Sequence, residues 1–156
     1  MRPNSRHRRI LQAGQVAELR VINRDGSGET AIYQAGDVIE APNWTRDGKW
    51  LVFNGDGRLW KISPDGSEGP IRINTAPVED LNNDHCLSPD GETIFVSAND
   101  GHLYAVPLTG GRPRKISNNH APGRAFRHYL HGVSPDGKTL AYIGLEKAAD
   151  GTNRTR

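Results

Sequence analysis

The 156-residue sequence has a single cysteine, Cys86, so no disulfide framework of the kind that staples small secreted modules can form within it. Long apolar runs are also missing. Only 35% of the residues are hydrophobic, and no stretch approaches the ~20 apolar residues of a membrane-spanning helix. Aromatic residues make up just 6%, and there is almost no excess of charge of either sign, with 20 Lys+Arg against 18 Asp+Glu. Four of the basic residues, Arg2, Arg6, Arg8 and Arg9, precede the first acid. Residues 1–16 therefore read as a basic flexible tail, and the remainder is slightly acidic, which argues against a nucleic-acid partner. The pair Arg8-Arg9 is followed by Gln12, Gly14, Gln15 and Glu18 instead of an apolar export segment, so the sequence as written predicts a cytoplasmic protein. No nucleophile elbow or helical zinc motif is present, and Gly110-Gly111 lacks the strand–loop–helix context of a phosphate cradle.

Turn formers are abundant, with 18 Gly and 10 Pro, and they recur in register. Thr45-Arg46-Asp47-Gly48, Ser88-Pro89-Asp90-Gly91 and Ser134-Pro135-Asp136-Gly137 place their aspartates 43 and 46 residues apart. Each turn precedes a β-rich run: Trp50 to Phe53, Thr93 to Val96 and Thr139 to Ile143. A second register has Asp56-Gly57 leading into Arg58 to Ile62 and Asp100-Gly101 leading into His102 to Val106, with Leu19 to Ile22 in the same slot. A short outer strand follows near Ala31 to Tyr33, Ile71 to Ile73 and Arg114 to Ile116. Four antiparallel strands per ~40–45 residues is the pattern of a propeller blade. The expected architecture is an all-β propeller of about three blades, with units near 17–35, 41–74, 84–117 and 128–156. Because the first and last units are incomplete, an open ring is expected, with blade edges that invite self-association.

The Ser-Pro-Asp-Gly turn followed by Lys49 to Phe53 or Lys138 to Tyr142 resembles the WD40-like PD40 repeats of the TolB family, from about Ala17 to Leu145. The resemblance implies a β-propeller. TolB itself is a periplasmic partner of the Tol-Pal envelope system. The architecture is shared by oligogalacturonate lyases, which hold a metal through histidines.

The crossovers Gln34 to Asn43, Thr75 to His85 and Asn118 to His131 are rich in acids, amides and imidazoles. Long loops at a channel mouth are where propeller-like scaffolds usually carry function. His85 and His131 each precede a turn aspartate by five residues, so the repeat places both at the start of inner strands, facing the channel. The matching positions in the first complete blade are Pro42 and Asn43. Near them lie Asn82, Asn83, Asp84 and His128, with Arg124 and Arg127 close in sequence. Three readings are open. His85, His128 and His131 could hold a divalent metal. The histidines and amides could bind a sugar, with Arg124 and Arg127 on a carboxylate. Or the imidazoles could simply satisfy backbone where the crossovers turn. The expected function is a non-catalytic scaffold whose long-loop face binds a protein or glycan; the alternative is a metal-assisted carbohydrate-active enzyme. Cys86 alternates with His85 along a strand and reads as a small core residue, and Trp44, Trp50 and Trp60 read as inter-sheet packing.

Overall fold

A computed structural model describes residues 9–121, 125–148 and 150–155. Every regular element in it is a strand, and none is a helix long and apolar enough to cross a membrane. The first sheet pairs β1 (Ala17–Val21) with β2 (Thr30–Ala35). The second is a meander of β3 (Ile39–Trp44), β4 (Leu51–Gly55), β5 (Arg58–Ile62) and β6 (Ile71–Ile73). The third repeats it with β7 (Leu81–Leu87), β8 (Thr93–Ala98), β9 (Leu103–Pro107) and β10 (Arg114–Lys115). The fourth has β11 (Phe126–Val133), β12 (Leu140–Lys147) and β13 (Asn153–Thr155). All pairings are antiparallel, and the ring is not closed.

The turn chemistry explains why the hairpins form where they do. In the second complete blade the Ser88 hydroxyl donates to Asp90 Oδ1 (2.5 Å), which also accepts the Glu92 N–H, while Thr93 N–H returns to Ser88 Oγ. The same cage closes around Asp47 with Thr45, and around Asp136 with Ser134. A further copy, Ser63-Pro64-Asp65-Gly66, joins β5 to β6. These hydrogen bonds stabilise the ionised carboxylates, so Asp47, Asp90 and Asp136 lie below the usual range and Asp65 is held down at about 2.

Alternation along each strand sends one set of side chains toward the preceding sheet and the other toward the next. Leu51, Phe53 and Ile62 face Leu19, with Ile32 and Tyr33 packed around them. Val52, Leu59 and Ile73 face Ile94, Val96 and Val106 in the third sheet. Each such side chain contributes roughly 1.5–3 kcal/mol on full burial. The inner strands lie side by side, with β7 touching both β3 and β11. All three carry a register shift: Glu40/Asn43 in β3, Leu81/His85 in β7 and Leu130/Gly132 in β11. These bulges bend the strands nearest the centre and re-aim the side chains within them.

Of the tryptophans, only Trp60 packs between sheets, and its Nε1–H donates to Gly55 O (3.0 Å). Trp50 lies beneath the Lys61 ammonium, 4.4 Å from the ring centre. Trp44 is 54% exposed, because the β3 bulge turns it outward; for this residue the inter-sheet expectation fails.

Candidate functional site

His85 lies within β7 rather than at its start, and it is buried. Its Nδ1–H donates to Asn54 Oδ1 (2.5 Å), and its Nε2 accepts from Asn43 Nδ2 (3.2 Å). Asn54 Nδ2 in turn donates to the Asn82 carbonyl (2.7 Å). One imidazole and two amides thus clasp β7 to β3 and β4 of the preceding blade. With both ring nitrogens engaged, His85 has no lone pair to offer a metal or substrate. Burial pushes its pKa down to about 4, so the ring is neutral across the physiological range. The geometry gives this histidine a structural role through two side-chain amides, not through the backbone groups expected for it.

The other two imidazoles occupy different surroundings. His128 is buried where β11 packs on the third sheet, and its Nδ1–H donates to Gly101 O (2.6 Å). Its ring lies among Phe126, Tyr142, His120 and His102, at centroid distances of 4.9, 4.8, 5.3 and 6.3 Å. His131 is exposed, three residues further along the same strand, at its bulge between Leu130 and Gly132. Alternation and the β11 bulge separate them, so the expected His85, His128, His131 ligand set does not assemble. Among the described residues, no three His, Cys, Asp or Glu side chains converge to hold a metal ion. The residues present therefore do not fit the divalent metal that the lyase architecture implies.

A polar groove of about 200 Å³ does exist on the long-loop face. Its walls include Asp37, Glu40, Asp56, Asn82, Asn83 and Asn99, and the tail residue Arg9 lies at its rim, 3.4 Å from Glu40. Asp84 is half-buried nearby, where Asn82 Oδ1 accepts its backbone N–H (2.8 Å). Desolvation raises the Asp84 pKa, against the pull of His131 and Arg9. Of the expected site residues, Asn82, Asn83 and Asp84 gather here, Asn43 is committed to the clasp, and Arg127 lines a separate cleft with Tyr129 and Leu145. Arg124 lies outside the described residues. Cys86 is half-buried, and burial together with Asp84 pushes its thiol up, away from the reactive thiolate.

Sequence reasoning missed Asn54, which faces the next blade from an otherwise apolar run, Leu51-Val52-Phe53. A buried amide at that alternation position was the available signal. Its repeat counterpart, Ser97, does the analogous job: its Oγ accepts the Leu130 N–H at 2.8 Å.

No family model matches the chain. An uncharacterized protein of Agrobacterium fabrum is 37% identical over 118 residues, covering 73% of this chain and 38% of that protein. A solved structure described as a TolB of Agrobacterium tumefaciens superposes with a TM-score of 0.69 at 31% identity, over 87% of this chain and 52% of that one. TolB of Acinetobacter baumannii (TM-score 0.59, 17% identity, 88% and 36% covered) has the same fold. So has an oligogalacturonate lyase in complex with manganese (0.55, 16%, 88% and 41%). The chain thus spans about two fifths of the curated relative and half of the Agrobacterium tumefaciens structure. Meander blades, caged Asp-Gly turns and these likenesses together make the chain a TolB-like β-propeller.

Proposed function

We propose that this chain is a binding scaffold that holds a protein or carbohydrate ligand on its long-loop face, without catalysing its conversion. The observation that carries this reading is the groove lined by Asp37, Glu40, Asn82, Asn83 and Asn99. Amides and carboxylates side by side offer both donors and acceptors, which suits a polyhydroxylated ring or a basic peptide segment. Arg9 beside Glu40 favours the second, since it brings a guanidinium of the chain itself to the groove. A positioned acid–base pair within reach of one bound atom is what catalysis would require, and the buried, doubly bonded His85 supplies none. The lyase alternative would need a metal between histidines that point into different parts of the molecule. The scaffold reading carries with it the periplasmic address that the TolB resemblance implies; fractionation of the native protein tests that against a cytoplasmic one.

The function test is calorimetric titration with an arginine-containing peptide set and an oligosaccharide panel. The expected result is saturable binding by one class, weakened about tenfold by Asn83→Ala or Asp37→Ala, which is the loss of one well-made polar contact. Binding that ignores both substitutions, or consumption of an oligosaccharide during the titration, would contradict it.

A further inference from the structure

The polar groove and the His85 clasp share one strand. β7 pairs with β8 at Leu81 and Ala98 and again at His85 and Val96, so Asn82, Asn83 and Asp84 stand opposite Ser97 alone. Three residues against one form an arch that leaves the ladder, and bulging of this kind re-aims the side chains within it. Both feet of the arch are fixed. Leu81 N–H donates to Gly57 O (2.9 Å) at one foot, and His85 is buried between Asn43 and Asn54 at the other. From the span between them, Asn82 and Asn83 line the groove.

Two hydrogen bonds shape the span. Asn54 Nδ2–H, from β4 of the preceding blade, donates to the Asn82 carbonyl (2.7 Å), and Asp84 N–H donates to Asn82 Oδ1 (2.8 Å). Asn54 is thus a side-chain tether between the arch and the preceding blade. An amide has two ends, and a tether made by Nδ2 requires Asn54 Oδ1 to point the other way. His85 sets that direction: its Nδ1–H donates to Asn54 Oδ1 (2.5 Å), while its Nε2 accepts from Asn43 Nδ2 (3.2 Å). One tautomer therefore fixes one amide orientation, and that orientation holds the backbone of a groove residue. The same bonds decide what Asn82 can offer. With its Oδ1 taken by Asp84 N–H, Nδ2–H is the group left for a ligand, and it is a donor beside the carboxylates of Asp37, Glu40 and Asp56.

We propose that His85 is a positioning residue of the ligand groove: acting through Asn54, it holds the Asn82–Asp84 arch in its binding shape without itself touching the ligand. The inference rests on the scaffold reading for what the arch binds, and on the hydrogen-bond chain alone for how the arch is held. It also narrows the ligand class. A group seated against the arch must bring an acceptor to Asn82 Nδ2–H and a donor to the neighbouring carboxylates, and a peptide does both with a backbone carbonyl and an arginine side chain. An arch released from its tether would have to be ordered by the ligand, which lowers affinity.

The experiment compares two variants of the full chain at one position. His85→Leu keeps an apolar bulk and removes both bonds, whereas His85→Asn restores a donor where Nδ1–H was. Amide hydrogen exchange followed by NMR reads the arch without ligand, and calorimetry with acetyl-Gly-Arg-Gly-amide reads the groove. In His85→Leu the Asp84 N–H is expected to exchange about tenfold faster while Val96 and Val106 keep their protection, and the peptide to bind about tenfold more weakly. In His85→Asn both values are expected to return close to those of the wild type. Asn54→Asp keeps the acceptor for His85 and loses the donor to Asn82; this isosteric variant is expected to show the same faster exchange, and it decides the question if the leucine variant does not fold. A histidine that merely stabilised the fold would lower the unfolding midpoint and leave both readouts of the folded chain unchanged. That result, or equal loosening in His85→Leu and His85→Asn, would overturn the proposal. Because the exchange arm needs no ligand, a wild-type chain with this exchange pattern and no peptide binding supports the relay and overturns the scaffold reading instead.

Discussion

The two junctions on either side of the third sheet are built from different materials. Between the second and third sheets, Val52, Leu59, Ile73, Ile94, Val96 and Val106 interlock, and the His85 clasp sits above them at the inner strands. Between the third and fourth sheets the apolar contribution shrinks. A cleft of about 490 Å³ opens there, lined by Phe95, Ile116, His120, His128 and Tyr142 among others, and imidazole rings replace aliphatic side chains. The backbone repeat is the same on both sides. A blade template therefore fixes strands and turns, while each junction chooses its own side chains, and histidine at equivalent places serves opposite ends: buried and bonded at 85, exposed at 131.

The largest effect expected from this contrast is in the aliphatic junction. Leu59→Ala should cost about 3 kcal/mol, because the fully buried side chain leaves a cavity its neighbours cannot fill. Leu130→Ala, equally buried but beside the cleft, should cost about half as much, since that side can relax. Equilibrium urea denaturation of both variants gives the comparison, and equal losses would erase the distinction.

Next in size is the pH response of the clasp. His85 titrates at about 4 when folded against an unfolded value near 6.5, so the unfolded chain takes up the proton first. Its contribution is complete above about pH 6.5, falls as the pH drops toward 4, and is constant below. The difference amounts to roughly 3 kcal/mol for this buried ring, as an upper bound. In His85→Asn, which removes the titrating ring, the acid dependence over that window should flatten, as measured by urea midpoints from pH 7.5 to 4.5.

A smaller and more local effect is expected at Gly101. Its φ is +91°, and a Cβ there would stand 2.7 Å from the Phe126 carbonyl of the following blade. Gly101→Ala should cost about 1–3 kcal/mol in strain. Amide exchange should accelerate in β11 and β12 while β4, β5, β8 and β9 keep their protection. Uniform acceleration would mean that the two junctions are one cooperative unit. The smallest effect belongs to the exposed turn cages: Asp90→Asn should remove part of the stability lost below about pH 4, where the depressed carboxylates finally protonate.

Much of the fold was legible because turn chemistry is local. The Ser and Asp side chains of Ser-Pro-Asp-Gly close their cage within six residues, so its spacing reports blade spacing directly. The apolar runs after each turn were equally plain. The site was less legible because it depends on bulges. Extra residues at Leu81/His85 and Leu130/Gly132 decide which way an imidazole points, and nothing in the strand sequence marks them. Equal spacing of His85 and His131 from their turns therefore predicted equal roles, and the structure gives them different ones. Asn82, Asn83 and Asp84 were recognisable from their crossover position, whereas Asn54 was hidden inside an apolar strand.

The most direct test of this architecture is nitrogen-15 NMR of the His85 ring as a function of pH. A blade-to-blade clasp requires the Nδ1–H tautomer, contacts from the ring to the Asn43 side-chain amide, and no titration between pH 8 and 5. A ring that protonates near pH 6.5, exchanges tautomers freely, or shifts on addition of manganese would contradict the clasp and the packing of inner strands on which it depends.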